Sequence, residues 1–139
     1  MVKRNIILTK ITFIREHLER VRSHAQGSLA AFLQDRDQQD VVCFNLVQAI
    51  QGCADLASHI VSDEEWGIPS SYKDAFQILA KRKALEYPKA EIYGKMVGFR
   101  NQVFHQYADI DFEEVYKIMA ENLTDIDDFV TIVLDHFHL

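Results

Sequence analysis

The sequence predicts an all-α protein built as an up-and-down helical bundle. Apolar residues recur at spacings of three and four along most of the chain, which is the period of an amphipathic helix. Only five Gly and two Pro interrupt the 139 residues, and no segment alternates apolar and polar residues as a half-buried strand does. The apolar share of 48% is enough to bury a core, and the length suits a single domain over residues 1–139.

Two long N-terminal helices begin the predicted bundle. The first covers residues 5–33, and the polar stretch 34–40 separates it from a second apolar stripe over residues 42–60. We expect the two helices to pack antiparallel. Cys43 and Cys53 lie ten residues apart on the second helix, about 15 Å along its axis, so they cannot form a disulfide with each other.

A loop over residues 62–71 follows the second helix, because Gly67 and Pro69 both favour turns. We expect its two large apolar residues, Trp66 and Ile68, to lie against the bundle.

Four shorter helices complete the predicted chain. Ser70 or Ser71 caps the third, and Pro88 suits the first turn of the fourth, where its missing N–H needs no partner. The break over residues 108–111 ends the fourth helix, and Asp111 is the predicted N-cap of the next. The fifth and sixth helices are predicted over residues 112–122 and 123–137.

The charge balance argues against a protein that coats nucleic acid, since 15 basic and 21 acidic residues give a net charge of −6. Nine of the acidic residues but only one basic residue, Lys117, follow position 107, so residues 1–107 carry 14 basic and 12 acidic side chains. A local basic site therefore remains open there, although a solvated helix face explains the same charges equally well. Lys10 and Arg15 interrupt the N-terminal apolar stretch, so we expect a soluble, cytoplasmic protein without a membrane span.

The segment from Lys95 to Asp111, KMVGFRNQVFHQYADID, is the strongest candidate for a chemical site. It places Arg100, Asn101, His105 and Tyr107 next to an apolar stripe. Arginine is a permanent cation whose planar fork fits phosphate oxygens, and histidine is the side chain whose unperturbed pKa suits proton transfer near neutrality. Together they could cleave an RNA phosphodiester without a metal ion, by activating the ribose 2′-hydroxyl and stabilising the charged phosphorane.

Spacing alone does not establish that site. Arg100 and His105 are five residues apart, about 140° around an ideal helix, so their side chains diverge on a straight helix. They converge only if the arginine side chain wraps, if the helix ends near His105, or if two chains pool their residues across a symmetric interface. An arginine paired with a carboxylate and a histidine at a helix C-terminus fit the bare sequence just as well.

At the C-terminus, Asp135, His136 and His138 form only a weak metal candidate, because their apolar neighbours indicate an amphipathic helix end. We expect no metal there.

The combination of these residues resembles the HepT toxins of the HEPN superfamily. Arg100, His105 and Tyr107 reproduce the family's Arg-x4-His-x-Tyr motif. MVGFRNQVFHQY is similar to the family signature around it, an acidic DID stretch follows, and GIPSSYKDAFQIL resembles the start of the family's third helix. The resemblance covers nearly the whole chain in length and element order.

The resemblance implies a two-fold dimer with the fourth helix near the interface. Arg100 and His105 of both copies would face each other in a cleft and act as a metal-independent ribonuclease without a cofactor, with Asn101 orienting the site. It also implies a partner, a MntA-like nucleotidyltransferase antitoxin, which transfers AMP from ATP to the motif tyrosine, Tyr107. We expect the hydroxyl of Tyr107 to be exposed at the break after the fourth helix.

Two other functions remain open at this point. Some members of the superfamily only bind nucleotidyltransferases, so the chain could be an interaction module without turnover. A helical scaffold with an ordinary surface arginine and histidine is the third possibility.

Overall fold

The computed structural model describes residues 3–139. The first two residues of the predicted domain lie outside that range. Within this range the chain forms seven α-helices and one short 3-10 turn, with no β-strand. The predicted all-α class is therefore confirmed. The helices are α1 Arg4–Ser23, α2 Leu29–Gln34, α3 Arg36–Asp63, α4 Tyr72–Lys81, α5 Tyr87–His105, α6 Phe112–Glu121 and α7 Leu123–His136.

Helix α3 is the centre of the bundle and packs against each of the other six helices. Its apolar residues lie on nearly all sides, which is typical of a helix surrounded by others. Both cysteines are free and buried on this helix, as the sequence predicts. In the described part of the chain α3 alone is long and apolar enough to span a membrane, but 67% of that window is buried inside the protein.

Helices α1 and α3 pack antiparallel, which confirms the predicted pairing. His17 on α1 lies opposite Asn45 on α3, with 2.8 Å between the imidazole Nδ1 and the amide Oδ1. At the C-terminal end of α1, the side chain of Gln38 donates to the carbonyl of His24 at 2.7 Å. Residue numbers thus fall on α1 as they rise on α3, and the buried polar pair of His17 and Asn45 is satisfied within the interface.

The predicted single helix over residues 5–33 is wrong, because the structure divides it into α1 and α2. The Ser28 hydroxyl accepts the N–H of Ala31 at 3.1 Å and starts a new helix. The bond from Gln38 to the carbonyl of His24 satisfies the C-terminal end of α1. These two hydrogen bonds favour an end of α1 and a new start at α2, although the apolar period continues across the break.

The predicted polar break over residues 34–40 is present but is limited to Asp35, because α3 begins at Arg36. Asp35 is the N-cap, and its carboxylate accepts the N–H of Gln38 at 3.0 Å. The first turn of a helix is often polar throughout, so the apolar pattern does not reveal where α3 begins. As a result Arg36 and Asp40 lie four residues apart on the same face of α3 and form an ion pair at 3.3 Å.

The caps of the shorter helices agree with the sequence predictions. The Ser71 hydroxyl accepts the N–H of Asp74 at 3.0 Å at the start of α4, and Pro88 lies in the first turn of α5. The Asp111 carboxylate accepts the N–H of Glu113 at 3.0 Å at the start of α6. Helices α6 and α7 each end one residue before their predicted ends.

The two large apolar residues of the loop between α3 and α4 differ in burial. Trp66 packs half-buried against the core, as predicted, with its ring 6.2 Å from that of His136. Ile68 is 95% exposed, so its predicted contact with the bundle is wrong. Gly67 has a φ of 125°, a backbone turn that directs the following residue away from the helices.

Helix α5, which carries the candidate site, is fixed at its N-terminal half by α4 and α7. The buried ring of Tyr93 packs between Phe76 and Phe129, at centroid distances of 5.4 Å and 5.2 Å. Its hydroxyl donates to the backbone carbonyl of Asp125 at 2.7 Å. Lys89 donates hydrogen bonds to two carboxylates of α7, those of Asp125 and Asp128. The shorter bond, to Asp128, is the largest cause that raises the pKa of the lysine.

Candidate active site

The site residues from the sequence all lie at the C-terminal end of α5. Arg100, Asn101 and His105 belong to its last two turns, and Tyr107 begins the 3-10 turn Tyr107–Asp109. The helix ends at His105, which is one of the conditions under which Arg100 and His105 could approach each other.

Arg100 contacts a neutral amide and two aromatic rings. Its Nη1 donates to the Oδ1 of Asn101 at 2.7 Å. The guanidinium carbon lies 4.3 Å from the ring centroid of Phe104 and 5.9 Å from that of Tyr72. These contacts hold the guanidinium by its face and leave its charge without a carboxylate partner among the described residues.

The Nε of Arg100 is also without a partner. This nitrogen is buried and has no hydrogen-bond partner within residues 3–139. A structural ion pair or hydrogen bond therefore does not hold Arg100 at this atom.

Tyr72 is a neighbour of the site that the sequence analysis missed. Its hydroxyl donates to the Oδ1 of Asp55 at 3.2 Å, and the side chain of Gln51 donates to the same oxygen at 2.9 Å. Tyr72 is thereby attached to α3 and forms a fixed surface for Arg100. Phe104 was identifiable in principle, because it lies four residues after Arg100 on one helix, but Tyr72 comes from another element.

His105 is exposed, and in the described residues it is not among the contacts of Arg100. The contacts of Arg100 are with Asn101, Phe104 and Tyr72, and Tyr72 lies at the start of α4. Long side chains on a helix point toward its N-terminus, so Arg100 leans back along α5 while His105 occupies its C-terminal end. The ending of the helix alone therefore does not produce a combined site.

Tyr107 lies at the predicted break between helices but is only half-exposed. Its ring packs edge-on against Phe112 at 6.0 Å, and the guanidinium carbon of Arg36 lies 5.7 Å from its centroid. Its hydroxyl donates to the Oδ1 of Asp40 on α3. The hydroxyl is thus not free, because α3 begins early enough for Asp40 to bond it, while Tyr107 as a whole is only partly buried.

Burial and the Asp40 carboxylate both act on the ionisation of Tyr107. Burial is the larger cause that raises the pKa of its phenol, and the hydrogen bond to Asp40 raises it further. Cys43 lies one turn after Asp40 on α3, and burial raises the pKa of its thiol to about 11. Both groups are thus neutral near pH 7.

Within residues 3–139, no three His, Cys, Asp or Glu side chains are grouped so that they could hold a metal ion. At the C-terminus the ring of His136 packs against Trp66 and Phe137.

Comparisons with known proteins identify close relatives. A family model described as ribonuclease HepT-like matches residues 14–133. An mRNA nuclease HepT from Shewanella oneidensis is 32% identical over 129 residues, which cover 93% of this chain and 96% of that protein. A tRNA nuclease HepT from Aphanizomenon flos-aquae is 30% identical over 116 residues, which cover 83% of this chain and 78% of that protein.

A solved structure supports the same relationship in three dimensions. It is a tri-AMPylated HEPN toxin from Shewanella oneidensis in complex with an MNT antitoxin. The two chains superimpose with a TM-score of 0.89 at 31% identity, covering 96% of this chain and 99% of that one.

Proposed function

This chain belongs to the family of HepT-like ribonucleases, and we propose that it is the single-domain toxin of a toxin–antitoxin pair that cleaves RNA without a metal ion. The observation that carries the proposal is the state of Arg100. Its charge has no carboxylate partner among the described residues, and its buried Nε lacks an acceptor. An arginine in a structural ion pair would show neither feature, so the scaffold alternative loses its main support.

In the proposed reaction His105 and Arg100 have different roles. One His105 imidazole takes the proton of a ribose 2′-hydroxyl, whose oxygen attacks the adjacent phosphorus. Arg100 stabilises the negative charge on the five-coordinate phosphorus, and the same imidazole, now protonated, gives its proton to the 5′-oxygen as that oxygen leaves. The products are a 2′,3′-cyclic phosphate and a 5′-hydroxyl. Asn101 holds the Arg100 guanidinium, so its part is positional.

The active unit is a homodimer in this proposal. Arg100 leans back along α5 and His105 lies at its exposed end, so a second copy is needed to place an arginine beside a histidine. Phe104, which is 55% exposed next to Arg100, offers that copy an apolar contact at the site.

Control comes from a MntA-like nucleotidyltransferase that AMPylates Tyr107. A relative of similar length is tri-AMPylated in complex with its MNT antitoxin, and this chain has a tyrosine at the motif position. Each added AMP brings a negative phosphate to the segment two residues after His105, where it opposes the binding of RNA. Both partners act in the cytoplasm, and neither a membrane, DNA nor a cofactor of the toxin is part of the proposal.

The alternative is a non-catalytic partner of a nucleotidyltransferase, and expression without the partner separates the two. Wild type and His105→Ala are expressed in a growing host, with His138→Ala as the control because His138 is also exposed but lies at the C-terminus. We expect growth arrest and defined new RNA ends with wild type and with the control, and neither with His105→Ala.

Purified protein then tests the chemistry. Cleavage should persist in a chelator and should leave cyclic phosphate ends. Equal cleavage by His105→Ala would contradict the assigned role of the histidine, and loss of cleavage in the chelator would contradict a metal-independent reaction.

A further inference from the structure

The first turns of α3 surround the hydroxyl of Tyr107 with three side chains that the proposed ribonuclease reaction does not use. Arg36, Asp40 and Cys43 follow each other at spacings of four and three, so they lie on one face of the helix. Asp40 accepts a hydrogen bond from the phenol, the guanidinium carbon of Arg36 lies 5.7 Å from the ring centroid, and Cys43 follows one turn after Asp40.

The pair of Asp40 and Arg36 is open to solvent, unlike Cys43. The side chain of Asp40 is 49% exposed and that of Arg36 is 68% exposed, although the two are joined at 3.3 Å. A nucleotide brought by another protein can therefore reach the side of the phenol on which Asp40 and Arg36 lie.

We propose that this face of α3 takes part in the AMPylation of its own protein, with Asp40 as the general base for Tyr107 and Arg36 as a cation for the phosphates of the nucleoside triphosphate. The inference rests on the proposed control by a nucleotidyltransferase. It adds two residues of the modified protein to a reaction for which the partner supplies the nucleotide.

The step balances with ATP as the co-reactant. The phenolic oxygen of Tyr107 attacks the α-phosphorus, and the proton moves to the Asp40 carboxylate that already accepts it. The bond from the α-phosphorus to the bridging oxygen breaks, and pyrophosphate leaves. Arg36 exchanges its contact with Asp40 for the phosphates as Asp40 becomes neutral.

A base on this chain meets a specific need, because the phenol ionises poorly by itself. Burial and its hydrogen bond raise the pKa of Tyr107 well above its ordinary value, so hardly any phenolate forms at neutral pH. A carboxylate in contact with the hydroxyl removes the proton during the attack, as the catalytic aspartate of protein kinases does for a substrate hydroxyl.

The test measures the rate of AMPylation by intact mass spectrometry, with the purified toxin, its nucleotidyltransferase, ATP and Mg²⁺. Asp40→Asn keeps the size of the side chain but cannot take a proton at neutral pH. We expect its rate to fall by about a hundredfold or more, which is the usual contribution of a general base. Asp40→Glu should recover part of the rate, and Asp37→Asn, on the same exposed turn, should match wild type.

A pH series separates a base from a residue that merely holds the tyrosine. Among the described residues, the charged or titratable groups that act on the hydroxyl are Asp40, Cys43 and Arg36, and α6 contributes the ring of Phe112. Between pH 7 and 9 we expect a nearly flat rate for wild type. Asp40→Asn depends on free phenolate, so its rate should rise about tenfold per pH unit.

Arg36→Gln should raise the KM for ATP, because the phosphates lose a cation. Circular dichroism and a thermal melt confirm that each variant is folded.

Four results would overturn the inference. Asp40→Asn at the wild-type rate shows that the base lies elsewhere, and a faster rate shows that Asp40 only restrains the tyrosine. Parallel pH profiles contradict proton transfer to Asp40 in the same way. If wild type itself gains no AMP, the proposed control by modification fails together with this inference, whereas the first three results leave that control intact.

Discussion

Arg100 packs against aromatic rings, whereas an ordinary surface arginine pairs with a carboxylate. Phe104 covers the guanidinium from the same helix, and Tyr72 does so from α4. Rings hold the group in place without neutralising it, so the full positive charge stays available to a phosphate. The orientation of Arg100 therefore depends on packing, and the packing can be tested apart from the charge.

Replacing Phe104 with Ala should weaken RNA cleavage two- to fivefold, because an exposed cation–π contact contributes about 0.5 to 1 kcal/mol. The side chain is 55% exposed, so the free energy of unfolding should change little. Ile68→Ala is the matched control, since Ile68 is 95% exposed and lies in the loop between α3 and α4, outside the motif. Unchanged cleavage by Phe104→Ala would mean that the ring does not orient Arg100.

The residues of the motif were predictable, but their surroundings were only partly so. Arg100, His105 and Tyr107 follow from a local pattern and from the family resemblance. Phe104 follows from a spacing of four. Tyr72 and Asp40 come from other helices, and the contact with Asp40 exists only because α3 begins at Arg36. Long-range contacts of this kind depend on where a cap starts a helix, and the apolar period does not report that.

At the scale of helices, α5 is fixed far from the site that it carries. The ring of Tyr93 fills the space between α4 and α7, and its hydroxyl bonds the carbonyl of Asp125. The end with Arg100 and His105 projects from this anchored half. Stability and chemistry therefore occupy different parts of one helix, and variants at one end leave the other end largely undisturbed.

Tyr93→Phe should lower the free energy of unfolding by about 1 kcal/mol, because it removes one hydrogen bond and leaves the carbonyl of Asp125 without that donor. Tyr87→Phe, at the exposed first residue of α5, should have no measurable effect. Chemical denaturation of both variants and wild type checks this. An equal effect of the two variants would contradict an anchoring role for Tyr93.

The order of helices was predictable from the period of apolar residues, and their ends were predictable where a cap was visible. Ser71 and Asp111 begin helices as expected. Ser28 and Asp35 do so too, but Ser28 lies inside an apparently continuous apolar pattern, and nothing in the polar stretch 34–40 marks Asp35 as the residue that starts a helix. The bonds that settle those ends come from side chains far along the sequence, such as Gln38.

For the whole molecule, the arrangement of one chain leaves the proposed ribonuclease incomplete. Arg100 contacts Tyr72 and Phe104, and none of its contacts is with His105 in the described residues. In the proposed mechanism a symmetric partner places the arginine of one copy beside the histidine of the other. A monomeric enzyme would need a rearrangement at the end of α5.

A mixed dimer tests this central claim most directly. Arg100→Ala and His105→Ala chains carrying different tags are co-expressed, and the heterodimer is purified and compared with wild type and with both mutant homodimers. If each site takes its arginine from one copy and its histidine from the other, the heterodimer has one intact pair and should recover about half of the wild-type cleavage rate, while both homodimers stay inactive. A heterodimer as inactive as its parents, beside an active wild type, would show that each chain uses its own arginine and histidine and would contradict the shared site.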